Sequence, residues 1–293
     1  LLFGTSDGQV ISLSAGTGNV NWKAQVSSEV LAAPAAGNSI VLVRCVNGQL
    51  FGLDSKDGSQ RWVTEQRTPA LTLRGTSAPV IVGDVVLGAF DNGNLVAMNL
   101  QTGKELWQAS IAVPTGRTDI ERLIDIDANV VVMDDVVYAV AFQGRIAAVQ
   151  LGSGRIIWAR DVDSYTGISV DAYRIYLTDS QGQVWAMDRN NGATLWKQDA
   201  LVRRSLTRPV LQGQYVMFGD FNGFVHWLQR DTGAIAARVK MKVADYTSPG
   251  LDETDDLSFP KSDNILSPPV VEKNTTFVMN RFGYIEVFEI ATP

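Results

Sequence analysis

The sequence predicts an all-β fold, a β-propeller of four-stranded antiparallel blades. Three observations predict it: a phrase that recurs seven times, a fixed spacing inside each recurrence, and strand-like alternation between the fixed points. The phrase is a tight turn with glycine in second place: DGQV from Asp7, NGQL from Asn47, NGNL from Asn92, QGRI from Gln143, QGQV from Gln181, NGFV from Asn222 and FGYI from Phe282. Ten residues after the first six turn glycines stands a second glycine, giving Gly8/Gly18, Gly48/Gly58, Gly93/Gly103, Gly144/Gly154, Gly182/Gly192 and Gly223/Gly233. Four residues further come Trp22, Trp62, Trp107, Trp158 and Trp196, with Ala237 as the substitute in the sixth copy. Fourteen residues before the turn glycine sit Pro34, Pro79, Pro209 and Pro269, with Val130 and Ile168 in the same slot of two other copies.

The elements of one copy follow from this frame. IVLVRCV before Gly48 and VVYAVAF before Gly144 are strands, as are LVAMNL and VWAMD after their turns. The N-G or Q-G dipeptide between two such runs marks a hairpin, and the later T-G, D-G, S-G or N-G marks another, with glycine supplying the positive φ of these turns. Each copy is thus four short antiparallel strands, buried on both faces when stacked beside its neighbours. The tryptophan at one fixed place per copy reads as packing that docks each sheet onto the next, since one such ring buries about 150–250 Å². Glycine and tryptophan, 26 and seven in number, are therefore explained by position. The first copy lacks its first strand and the last ends at Pro293 before its fourth, within a single domain spanning 1–293.

Composition narrows the chemistry. With 45% hydrophobic and 19% charged residues and a net charge of −6, the 293-residue chain is neither disordered nor a polyanion binder, so nucleic acid is not an expected partner. One cysteine, Cys45, excludes an internal disulfide and a cysteine zinc site, and one histidine, His226, excludes a multi-histidine metal centre. No run of about 18 apolar residues occurs, and Leu1 opens directly in strand-like sequence, without a signal segment. Neither a G-x-S-x-G nucleophile motif nor a phosphate loop appears. Cys45 shares the apolar side of its strand with Val41 and Val43, which implies an inert buried thiol, and His226 lies in FVHWL, packed or at a strand end.

Individuality lies in the gaps from one tryptophan slot to the next proline slot, which are 12, 17, 23, 10, 13 and 32 residues long. Loops on a rigid scaffold are where binding residues concentrate. The 17-residue gap carries Leu71, Leu73 and Arg74. The 23-residue gap carries Asp119, Glu121, Arg122, Asp125 and Asp127, the last two pointing the same way if extended. One reading is a protein-docking patch with apolar and arginine anchors and acidic partners, flanked by Glu121 and Arg122. The other turns these groups inward, with the leucines under the blade edge and Arg74 paired to Asp125 or Asp127. The acids lack the alternate-position pattern of an EF-hand loop, so no metal site is assigned. Arg203 and Arg204 extend the docking rim or are solvated, and the acidic 32-residue gap reads as a solvated loop.

The phrase MNLQTGKELW (98–107) is similar to the tryptophan-docking repeat of quinoprotein dehydrogenases, which bind pyrroloquinoline quinone. That resemblance implies a fold and leaves a quinone-dependent propeller enzyme as the alternative function, although Cys45 alone cannot build the family's vicinal cysteine pair. Across nearly the whole chain, and most specifically in LTLRGTSAP (71–79), IERLIDID (120–127) and GFVHWL (223–228), the sequence resembles the BamB family of propeller lipoproteins of the outer-membrane β-barrel assembly (BAM) machinery. The resemblance implies a non-enzymatic, cofactor-free scaffold on the periplasmic face of the outer membrane, binding the POTRA domains of BamA through Leu71, Leu73, Arg74, Asp125 and Asp127, and reaching other BAM subunits through BamA. It also implies eight blades when complete, with a further blade and a lipid-bearing cysteine upstream of Leu1 as the membrane attachment. A sheet edge offered to nascent outer-membrane strands is a further expectation, from β-augmentation.

Overall fold

The computed structural model describes residues 1–69, 77–113, 117–118, 124–126, 128–241 and 264–289. These residues contain strands, turns and no helix, and so no helix long and apolar enough to cross a membrane. Each repeat copy is one antiparallel sheet, called here a blade. Blade I comprises Leu2–Gly4, Gln9–Leu13 and Val20–Gln25; blade II, Ala35–Gly37, Ile40–Arg44, Gln49–Asp54 and Gln60–Glu65; blade III, Val80–Val82, Val85–Ala89, Asn94–Asn99 and Glu105–Ser110. Blade IV comprises Val131–Met133, Val136–Val140, Ile146–Gln150 and Ile156–Arg160; blade V, Ile168–Val170, Arg174–Thr178, Val184–Asp188 and Thr194–Gln198. Blade VI comprises Val210–Gln212, Tyr215–Gly219, Phe224–Gln229 and Ile235–Lys240, and blade VII Val270–Glu272, Thr275–Met279 and Ile285–Glu289. Among the described residues five blades have four strands, and the first and last have three, as the frame leads one to expect. The chain divides into two compact units, Leu1–Ile168 and Ser169–Pro293, the boundary falling in the first strand of blade V.

Strand alternation decides how the blades pack. In blade II the second strand is buried at every position, because both faces of the sheet are covered. Val41, Val43 and Cys45 face blade I with Val10 and Trp22, whereas Ile40 and Leu42 face blade III with Val86, Val96 and Met98. The next interface repeats the device with Leu87, Leu95 and Ala97 against Val137, Ala139 and Val149. In the second unit Tyr176 and Val184 meet Val216 and Phe218, and Met217 and Val225 on the other face of blade VI meet Val278 of blade VII. Fourth strands are covered on one side only, and that of blade VI is exposed throughout.

The fixed glycines and tryptophans meet between blades. The indole N–H of Trp22 donates to the carbonyl of Ser55, Trp62 to Leu100, Trp107 to Leu151 and Trp196 to Arg230, at 2.6 to 3.0 Å. Each ring lies on the second glycine of the following blade: Trp22 on Gly58, Trp62 on Gly103, Trp107 on Gly154 and Trp196 on Gly233. These glycines have φ between +67° and +76°, and a Cβ there would sit 2.5 to 2.7 Å from the indole. Glycine is thus required twice, for the turn and for the ring. Trp158 is buried beside Tyr138 of its own blade, ring centroids 6.4 Å apart. The first turn departs from expectation once: in blade IV Gln143, at φ 49°, takes the positive-φ place, and Gly144 does not.

Candidate functional site

The two gap stretches singled out by the sequence are flanked by described residues that lie together. Leu71, Leu73, Arg74, Glu121, Arg122 and Asp127 themselves are outside the described residues, and Asp125 is inside them. Immediately after the first stretch, the Ser77 hydroxyl donates to the carbonyl of Ala128 at 3.1 Å, and the amide of Ala78 donates to Oδ1 of Asn129 at 2.7 Å. Residues on the far side of the two stretches, 51 positions apart in sequence, are therefore pinned to one another.

Beneath them lies a buried polar cluster. Arg44, 4% exposed, reaches from blade II, its Nη1 donating to the carbonyl of Ser77 at 3.2 Å and its Nη2 to Oδ1 of Asp91 in the first turn of blade III. Asp91 also feels the neighbouring Asp125, which is fully buried. Burial raises the Asp91 carboxyl above the usual carboxylate range, against the opposing pull of Arg44 and Asp125. The amide of Phe142, in the first turn of blade IV, donates to the Asp125 carbonyl at 2.8 Å, forming an isolated bridge. Ile124 and Ile126 on either side enter the core between blades III and IV. The D-x-D stretch is thus stitched down at its first aspartate. The carboxyl of Asp125 faces inward, not onto an exposed rim.

Sequence reading did not single out Arg44, Ser77 and Asp91. A signal for the arginine exists. Four residues before the turn glycine the other copies carry Gly4, Ala89, Val140, Thr178, Gly219 and Met279, so Arg44 is the one charged residue in that slot. A guanidinium in a strand buried on both faces requires an acidic partner nearby.

The other singled-out residues serve the fold. Asp220 stands three residues before the turn glycine of blade VI, where Oδ1 accepts the amides of Asn222 and Phe224 at 2.8 and 2.9 Å. Its Oδ2 accepts from Nε2 of His226 and from Nη1 of Arg204, both at 2.9 Å. Burial acts to raise the Asp220 pKa, but the bonds from His226, the Phe224 amide and Arg204 outweigh it and hold the carboxyl below its usual range. In blade V the Asp179 carboxyl likewise accepts the amides of Gln181 and Gln183, at 3.0 and 2.8 Å, and the indole N–H of Trp185, at the position of His226, at 2.8 Å. His226 is thus fully buried against a turn carboxylate, stacked on Phe218 at 5.8 Å between centroids. Cys45 is buried, and burial raises its pKa, as an inert thiol requires.

The comparisons with known proteins agree with this architecture. A family model described as Outer membrane protein assembly factor BamB matches residues 1–198. The chain is 36% identical over 285 residues to the Outer membrane protein assembly factor BamB of Yersinia pestis, an alignment covering 97% of this chain and 68% of that protein. To the protein of the same name in Alteromonas naphthalenivorans it is 42% identical over 239 residues, covering 82% of this chain and 57% of that one, so the chain spans little more than half of some relatives it matches. The crystal structure of BamB from Moraxella catarrhalis superposes with a TM-score of 0.86 at 27% identity, over 99% of this chain and 81% of that one. The expected fold class, a β-propeller built of antiparallel blades, is confirmed by that match. On these grounds the chain belongs to the family of the outer membrane protein assembly factor BamB.

Proposed function

We propose that this chain is the docking part of a non-enzymatic scaffold that assists assembly of outer-membrane proteins from the periplasmic face of the outer membrane. Its partner is the periplasmic POTRA region of BamA, through which it joins the rest of the BAM machinery and reaches nascent outer-membrane proteins. Full-length protein is held to the membrane by an N-terminal lipid, and residues 1–293 act as one domain. The observation that carries the reading is the pinning of the two stretches by Ser77–Ala128 and Ala78–Asn129 over the Arg44–Asp91–Asp125 cluster, which gives two long loops a common base. Leu71, Leu73 and Arg74 then supply the anchors, Glu121, Arg122 and Asp127 the charged rim, and Asp125 fixes the second loop in place.

Pull-down by BamA's periplasmic region tests this. Arg74→Ala is expected to abolish retention at an unchanged melting temperature, and the Leu71→Ala, Leu73→Ala pair to do the same. Asp125→Ala is expected to weaken retention and also lower the melting temperature by about 2–4 °C, because a fully buried side chain is removed. Full retention of Arg74→Ala and of the leucine pair would remove these residues from the interface.

A further inference from the structure

The repeat frame supplies an internal control, and blade VI departs from it at two facing positions, Phe224 and Lys240, beside a third that carries Arg238. One residue after the turn glycine, where Phe224 stands, the other copies carry Gln9, Gln49, Asn94, Arg145, Gln183 and Tyr284. Three residues after the tryptophan slot, where Lys240 stands, they carry Gln25, Glu65, Ser110, Asp161 and Asp199. One residue after that slot is Arg238, and only blade VI has cations at both places. Across the ladder Phe224 is paired with Lys240 and His226 with Arg238, so ring and cations share a face of the sheet.

Three cations ring one half-buried aromatic. The guanidinium of Arg238 lies 4.9 Å from the Phe224 centroid, that of Arg204 5.7 Å and the ammonium of Lys240 5.8 Å. Arg204 pairs with Asp220, but that carboxylate is fully buried and already bonded to His226 and two amides. Arg238 makes no hydrogen bond or ion pair among the described residues. Exposed cation–π contacts stabilise by only about 0.5–1 kcal/mol each, which mutual repulsion of three cations opposes. The strand bearing Arg238 and Lys240 is exposed at every residue and is the edge of its sheet. Phe221, 49% exposed in the adjoining turn, adds an apolar group beside the basic one.

We infer that this face of blade VI docks an acidic segment of a partner protein, laid extended beside the edge strand Ile235–Lys240. Alternate carboxylates meet Arg238 and Lys240, and an apolar side chain rests on Phe224. Charge favours a peptide over an anionic bilayer. The chain carries net −6, and screening over about 8 Å confines attraction to the patch, which a strand-wide segment matches in size and a plane of lipid exceeds. This surface belongs to the second compact unit, whereas the Ser77–Ala128 and Ala78–Asn129 bonds belong to the first.

The test is fluorescence anisotropy with the full chain and a labelled octapeptide alternating glutamate with valine and phenylalanine. The octapeptide is expected to bind, to lose affinity as salt rises, and to weaken about tenfold against an Arg238→Gln, Lys240→Gln double variant. Both side chains are exposed, so the melting temperature is unchanged. Phe224→Gln, which installs the residue of the equivalent sites, is expected to weaken binding as well. Equal binding of a glutamine-for-glutamate peptide, or undiminished binding by the double variant, would overturn the proposal, as would retention on phosphatidylglycerol vesicles without peptide binding.

Discussion

Glycine at the second turn of each copy carries two requirements that single substitutions can separate. Gly18 and Gly103 have nearly the same backbone, φ +72° and +67°, but only Gly103 has an indole against it, with nothing within 4 Å of a Cβ at Gly18. Gly18→Ala is expected to destabilise by the left-handed strain alone, about 1–2 kcal/mol, and Gly103→Ala by at least about 2 kcal/mol more from the displaced Trp62 ring, measured by urea unfolding. Asp220 gives a pH signature. Its folded pKa lies below the unfolded value of about 3.9, so its stabilisation is present above that value and is lost as pH falls through the folded pKa. In Asp220→Asn the acid limb of the stability profile should flatten, and at neutral pH the variant should be less stable by about 2–3 kcal/mol, since Arg204 and His226 lose their carboxylate. An acid limb identical to the parent's would show that the carboxylate does not hold the turn.

At the scale of the blade, one exchange explains the gap in the tryptophan series. The residue facing the tryptophan slot across the ladder is small in five blades: Ser12, Gly52, Ala97, Ala148 and Ala186. In blade VI the pair is inverted, with Trp227 on the third strand facing Ala237 on the fourth. Trp227 is buried, donates its N–H to Gln212 at 3.1 Å and meets Phe288 of blade VII edge-on at 5.6 Å. Trp227→Ala should cost about 3–5 kcal/mol in urea unfolding, as a docking tryptophan would, and a cost under about 1 kcal/mol would leave it a surface ring. The frame, the strands and the three-stranded first and last blades were legible in the sequence because turn glycines and alternation are local properties. The Gln143 turn was not, since its glycine is present without the conformation that glycine normally signals. Nor was the Arg44–Asp91–Asp125 cluster, because its members come from a strand, a turn and a gap whose meeting depends on how blades II, III and IV stack.

For the molecule as a whole, sequence pattern and family membership converge on a propeller scaffold whose specific features sit in its long gaps. The L-x-L-R-G and D-x-D stretches were readable from their gaps as one docking patch beside an inward-turned reading, and the likeness to a family favoured the patch. The structure adds the physical reason for treating them together, a shared base of backbone and buried side-chain bonds in the first compact unit. In the function proposed above, this base presents the loops to BamA. That presentation is tested most directly by calorimetric titration of the chain with BamA's periplasmic region, beside the Arg74→Glu variant. The account predicts a saturable one-to-one complex for the parent chain and loss of measurable heat for Arg74→Glu at unchanged thermal stability. Equal affinity of the two, or no complex with the parent, would contradict it.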